Sequence, residues 1–120
     1  MSKFIRSFTF AGRGIAIAYR NQLNLKLQTG LGFGVAVLGV YFRLSSHEWC
    51  ALLLSVGLVL ALEVVNTSIE KAVDLVTTEV HPLAGQVKDI AAGAVLLSSV
   101  IALVVVLLVF TPHVIAWWQS

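Results

Sequence analysis

Between residues 90 and 110 the chain runs for twenty-one positions without a charged side chain. A helix rises ~1.5 Å per residue, so about 20 apolar residues cross the ~30 Å hydrocarbon core of a bilayer. Two further uncharged runs precede it, sixteen residues at 27–42 and fourteen at 49–62. Hydrophobic residues make up 58% of the chain and charged ones 12%, against roughly 25% charged in an ordinary soluble domain. A chain of 120 residues has no interior large enough to hide that much apolar surface from water. A water-soluble globular protein is excluded, and one all-α membrane domain covering residues 1–120 is expected.

The first 26 residues carry five basic side chains, Lys3, Arg6, Arg13, Arg20 and Lys26, and no acidic one. The three arginines recur every seven residues, which keeps them on one slowly drifting stripe of a helix. Phe4, Phe8, Ala11, Ile15 and Ala18 recur at spacings of three and four and form an opposing apolar stripe. A basic amphipathic helix leading into a span fits an anionic membrane surface better than nucleic acid. The expected layout is therefore a surface helix over about 2–27 and spans over about 28–44, 49–78 and 88–110. No signal peptide is expected, because no compact apolar segment with a small-residue cleavage site follows the first charge.

The punctuation agrees with that layout. Residues 44–48 (LSSHE) form a polar turn, with His47 exposed and Trp49 at the interface. His81, Pro82 and Gly85 mark the next turn, since the residue before a proline resists helical geometry. Pro112 follows the third span, and Trp117 and Trp118 anchor its far end. Gly30 and Gly34 read as a close helix-packing pair; no strand precedes them, so a nucleotide loop is a poorer reading. The single Cys50 excludes an internal disulfide and any cysteine-based metal site. Seven of the eight Lys and Arg lie in the N-terminal segment or around the second turn, and only Arg43 between the first two spans. Positive charge stays on the cytoplasmic side, so the N-terminus is expected inside and the C-terminus outside.

Five of the six acidic residues then fall between 63 and 89: Glu63, Glu70, Asp74, Glu79 and Asp89. An ionisable group beside a fourteen-residue apolar run costs roughly 2.5–3.5 kcal/mol at the bilayer centre, which makes Glu63 a functional candidate. With ~100° per residue, Asn66, Glu70 and Asp74 lie about 300°, 340° and 20° around the helix from Glu63. Four polar side chains therefore share an arc of about 80°, while Lys71 points elsewhere. Glu63 and Glu70 are separated by roughly 10 Å along the axis, too far to share a proton but suited to separate tasks on one extended substrate. One accepts a proton at membrane depth, and the other holds a cation nearer water. A polar seam gluing helices together is the plainer alternative, and so is a non-catalytic oligomer in which Glu63 lines an ion pathway. Asp89 as a helix cap and Lys88 as a snorkelling cation are likewise plain structural readings.

The run E-x-x-N-x-x-I-E-x-x-x-D from Glu63 to Asp74, H-P-L-A from His81 and K-D-I-A-A-G-A-V from Lys88 resemble the prokaryotic membrane diacylglycerol kinase family. The N-terminal R-S-F-T-F-A-G-R-G-I, from Arg6, also resembles that family, especially its undecaprenol kinase branch. The resemblance implies a homotrimer of three-span subunits, each with a surface helix, in the bacterial inner membrane. Active sites shared between subunits would phosphorylate a lipid alcohol with ATP and Mg2+. Undecaprenol is the first substrate implied and diacylglycerol the second. By motif position Glu63 resembles the general base and Asn66 a positioning residue beside it, while Glu70 resembles a magnesium ligand. Lys88 and Asp89 resemble a nucleotide-binding pair, with Glu79, His81 and Lys3 as further nucleotide contacts. Where many members have a second metal-binding glutamate, this chain has Gln22, whose amide oxygen can coordinate magnesium without supplying charge.

Overall fold

The computed structural model describes residues 2–120 as four helices, α1 (Lys3–Asn21), α2 (Leu23–Tyr41), α3 (Ser46–Val76) and α4 (Pro82–Gln119), with no strand among the described residues. Helices α2, α3 and α4 are long and apolar enough to cross a membrane. The main packing is between α3 and α4, with α2 lying against α3 and α1 touching both α2 and α3. Side-chain contacts at both ends show that α3 and α4 run antiparallel. Glu48 in the first turn of α3 meets His113 late in α4 at 2.9 Å, and Asp74 late in α3 meets Lys88 early in α4 at 2.8 Å.

Local chemistry sets the helix ends. Ser2 caps α1 by accepting from the Ile5 N–H at 3.3 Å. Ser45 caps α3 in a reciprocal box: its hydroxyl accepts from the Glu48 N–H at 3.2 Å, and the Glu48 carboxylate accepts from the Ser45 N–H at 2.9 Å. That box starts α3 three residues before the expected position of 49. His81 caps α4, its Nδ1 accepting from the Leu83 N–H at 3.1 Å, and Pro82 occupies the first helical position, where its missing N–H is harmless. Helix α4 therefore begins at Pro82, six residues before the expected start of the third span, and Asp89 lies inside the helix and not at its cap.

Two other expectations are corrected. The surface helix does not run to 27. It stops at Asn21, because Gln22 adopts an extended conformation (φ −122°, ψ 108°) and α2 starts afresh at Leu23. Pro112 does not end α4, which continues to Gln119. A proline removes one helical hydrogen bond and crowds the carbonyl four residues back, and spans tolerate this when neighbouring groups hold the segment. Here His113 binds Glu48 directly after the proline, and its ring lies 6.1 Å from that of Phe42.

The core gathers at this end of the bundle. Leu44, Leu52 and Phe110 are buried together, with Val35, Phe42, Trp49 and Val106 packed around them. Between lipid-bathed helices, close approach of backbones replaces the hydrophobic effect as the main source of cohesion. Gly39 and Gly32 allow that approach: a Cβ on Gly39 would stand 2.7 Å from the Trp49 ring, and one on Gly32 2.9 Å from Val56 Cγ1. The expected pair Gly30 and Gly34 meets nothing within 4 Å.

Helix α2 ends in a Schellman turn, with the Leu44 N–H on the Gly39 carbonyl and the Arg43 N–H on the Val40 carbonyl, each at 3.2 Å. Arg43 takes the left-handed position (φ 54°) that glycine usually fills.

Candidate active site

A gradient of burial runs along one face of α3. Glu63 is 2% exposed and Asn66 6%, Glu70 is half-buried, and Asp74 is exposed. The 3.6-residue period puts them in line, and the emergence of α3 from the apolar run grades their access to water. Thr67, also buried, donates its hydroxyl to the Glu63 backbone carbonyl at 2.9 Å and so adds no charge neutralisation. Among the described residues no cation pairs with the Glu63 carboxylate. Lys71 points to the exposed side, as its place on the helix requires.

Glu70 is the hub. The Asn66 Nδ2 donates to one of its oxygens at 3.3 Å, and the Gln22 Nε2 donates to the other at 2.9 Å. Two neutral amides thus cradle one carboxylate, one from the same helix and one from the break between α1 and α2. The Asn66 Oδ1 is buried without a hydrogen-bond partner, an orphan in a place where such groups are normally satisfied. Among the described residues no three His, Cys, Asp or Glu side chains converge. A cation held here would draw on Glu70, on amide oxygens and on the oxygens of a substrate. That donor set suits magnesium, which commonly takes one or two carboxylates and completes its shell with phosphate oxygens and water.

Nearer the helix ends, Lys88 donates to Asp74. Asp89 is exposed beside it. Glu79 is exposed in the turn, where its N–H donates to the Thr77 hydroxyl at 3.1 Å. Two adjoining cavities open between the C-terminal half of α3 and the start of α4. One, of 440 Å³, is apolar and lined by residues including Ile69, Val76 and Val87. The other, of 200 Å³, is lined by Thr77, Glu79, His81, Gly85 and Lys88. A third, apolar groove of 260 Å³ runs between α2, α3 and α4, and two of its walls, Val59 and Leu60, lie one turn before Glu63. The structure thus brings Glu63, Asn66, Glu70, Gln22, Asp74 and Lys88 along one line. It does not bring in Lys3, which is exposed at the far end of α1, ~28 Å along the helix from Gln22.

The family model described as prokaryotic diacylglycerol kinase matches residues 9–110, from within α1 through α2 and α3 to within α4. The chain belongs to the prokaryotic diacylglycerol kinase family. That membership makes it a lipid kinase, an enzyme that needs a lipid substrate and a phosphate donor such as ATP. Undecaprenol kinase from Bacillus subtilis (strain 168) is 40% identical over 112 residues, covering 93% of this chain and 91% of that protein. A diacylglycerol kinase from Synechocystis is 38% identical over 100 residues, and the match spans 57% of its length. The diacylglycerol kinase of Escherichia coli (strain K12) is 26% identical over 113 residues, covering 93% of this chain and 92% of that protein. Every candidate site residue except Lys3 falls within the segment shared with the family model.

The Glu48–His113 contact, which joins residues 65 apart, had no signal in the sequence, and the Gln22–Glu70 contact, which joins residues 48 apart, had one only through the family resemblance that put both at the magnesium. The capping box at Ser45 and Glu48 did carry a signal, a serine followed three residues later by glutamate before an apolar run.

Proposed function

We propose that this chain transfers the γ-phosphoryl group of ATP to the hydroxyl of undecaprenol, giving undecaprenyl phosphate and ADP. The observation that carries the proposal is the Glu63 carboxylate, buried without a cation on the same face as Asn66 and Glu70. The lipid hydroxyl gives its proton to Glu63 as its oxygen bonds to the γ-phosphorus. The bond from that phosphorus to the β–γ bridging oxygen breaks, and the electron pair leaves on ADP. Transfer of this kind depends on positioning and charge stabilisation more than on covalent chemistry by the protein. Glu70, with the amide oxygens of Asn66 and Gln22, is assigned to magnesium, which would neutralise charge on the phosphate oxygens. The orphaned Asn66 Oδ1 beside Glu70 supports that assignment.

The cleft lined by Glu79, His81 and Lys88 supports a nucleotide site reaching from the turn toward Glu70, with Asp89 at its rim. Lys88 is a point charge suited to phosphate once it exchanges Asp74 for the nucleotide. The groove that starts below Glu63 supports a path for the prenyl chain, because it puts an apolar body behind a hydroxyl held at the carboxylate. The assembly we favour is a homotrimer with shared sites. Within one chain Lys3 lies ~28 Å from Gln22, so a nucleotide contact from Lys3 draws on α1 of a neighbouring copy. The membrane is assigned as the bacterial inner membrane, with the N-terminus and site cytoplasmic and the C-terminus outside. In support, Arg20, Lys71 and Lys88 cluster near one end of the bundle, while the opposite turn has only Arg43.

Diacylglycerol is the second substrate considered, because relatives named for it share the same segment. Purified protein in lipid nanodiscs, given ATP and magnesium with either lipid, separates the two. Faster phosphate transfer to undecaprenol supports the proposal, faster transfer to diacylglycerol replaces the substrate, and no lipid-dependent ATP consumption overturns the kinase assignment to this site.

A further inference from the structure

The break at Gln22 is a single extended residue between two helices, with no proline there to stiffen it and no glycine to loosen it. Its side chain gives α2 no cap, because the amide is engaged on Glu70. The angle between α1 and α2 therefore depends on side-chain packing and hydrogen bonding, including the packing of α1 on α3. On either side of the break, Ala18 and Leu25, seven residues apart, are 3% and 0% exposed. The Tyr19 hydroxyl meets Thr29 Oγ1 at 2.7 Å, the one side-chain hydrogen bond between α1 and α2 among the described residues.

The direction of that bond follows from counting protons. A threonine hydroxyl has one hydrogen, and that of Thr29 points at the Leu25 carbonyl at 2.8 Å. Tyr19 is therefore the donor and Thr29 the acceptor. Tyr19 lies one turn before the elbow, ~4.5 Å along α1, and Thr29 two turns after it, ~10 Å along α2. The pair is a diagonal strut across the bend.

We propose that Tyr19 and Thr29 are positioning residues: their hydrogen bond sets the elbow angle and so delivers the Gln22 amide to the Glu70 carboxylate. A tilt of ~15° swings the end of a side chain ~4 Å long by about 1 Å, enough to carry a 2.9 Å bond beyond the ~3.2 Å range of good N–H···O geometry. The consequence for magnesium rests on the assignment of Glu70 and Gln22 to that ion. The mechanical part does not.

The test has two readouts. Spin labels at Ser7→Cys and Leu75→Cys, in a Cys50→Ala chain diluted with unlabelled copies in lipid nanodiscs, report the α1–α3 distance without magnesium or nucleotide. Tyr19→Phe and Thr29→Val, which keep shape and remove one bonding partner each, are expected to broaden that distribution, and Thr29→Ser to restore it. In turnover assays Tyr19→Phe is expected to raise the magnesium concentration for half-maximal activity about three- to tenfold, the worth of one net hydrogen bond, with kcat at saturating magnesium little changed.

In a Gln22→Ala chain the same substitution is expected to add nothing, since both act through one contact. Unchanged distance distributions in both bond-deleting variants overturn the strut, and an additive magnesium shift in the Gln22→Ala chain overturns its route through Gln22. If Gln22→Ala alone leaves the magnesium dependence unmoved while Tyr19→Phe broadens the distances, the strut stands and the magnesium assignment falls.

Discussion

Replacing Gln22 by glutamate puts a second carboxylate where an amide N–H now reaches Glu70 at 2.9 Å. The donor becomes an acceptor, so one hydrogen bond is lost and two like charges face each other. At ~4 Å between charge centres their repulsion is about 1 kcal/mol if water screens them fully, and about 4 kcal/mol at the effective dielectric of a protein surface. Glu70 is half-buried, which sets the expected penalty between those limits. A divalent cation between the two carboxylates removes the repulsion and supplies the charge the amide lacks. The variant should therefore be less stable than the natural chain without magnesium and gain more from adding it, since a ligand stabilises by how tightly it binds the folded form. Thermal unfolding in nanodiscs across a magnesium series, without nucleotide, reads this directly. The magnesium concentration for half-maximal activity should fall in parallel. If Gln22→Glu melts as the natural chain does at every magnesium concentration, Gln22 does not adjoin the cation site.

The opposite end of the bundle yields tests of packing. Gly39→Ala forces a methyl to within 2.7 Å of the Trp49 ring and 3.0 Å of Leu44 Cδ1, so a loss of about 1–3 kcal/mol is expected in unfolding from mild detergent. Gly30→Ala, which meets nothing within 4 Å, is the control and should be neutral or mildly stabilising. Arg43→Gly relieves a left-handed residue in the turn after α2 and should stabilise by up to about 1 kcal/mol, read as a higher unfolding midpoint.

Several features of the site were legible because helices are periodic. The spacing of Glu63, Asn66, Glu70 and Asp74 puts them on one face whatever else the chain does, and the structure has them there. The extent of burial along that face followed from the apolar run before Glu63. The elbow was not legible. Gln22 is neither glycine nor proline, and it leaves the helix in company with a carboxylate 48 residues away. The resemblance pointed to the Gln22 amide oxygen as a metal ligand, and the structure adds that its nitrogen faces Glu70.

Pro112 and Pro82 show how one residue type has two meanings. Pro82 opens α4 because His81 caps it, and Pro112 is carried inside α4 where the Glu48–His113 contact holds the turn beyond it. Among the glycines the small-xxx-small spacing favoured Gly30 and Gly34. Close contact instead falls at Gly32 and Gly39, where Val56 and Trp49 of α3 face α2. Which face of α2 meets α3 is a tertiary fact that spacing within α2 does not contain.

The measurement that bears most directly on the proposed reaction is phosphate transfer by Glu63→Gln. The substitution keeps the shape of a 2%-exposed side chain and removes its ability to take a proton from the lipid hydroxyl. General bases contribute about 10²–10⁴-fold. With radiolabelled ATP, magnesium and undecaprenol in nanodiscs, and with an unfolding midpoint matching that of the natural chain, transfer should fall by that factor. Turnover within a few-fold of the natural chain would contradict the role of Glu63.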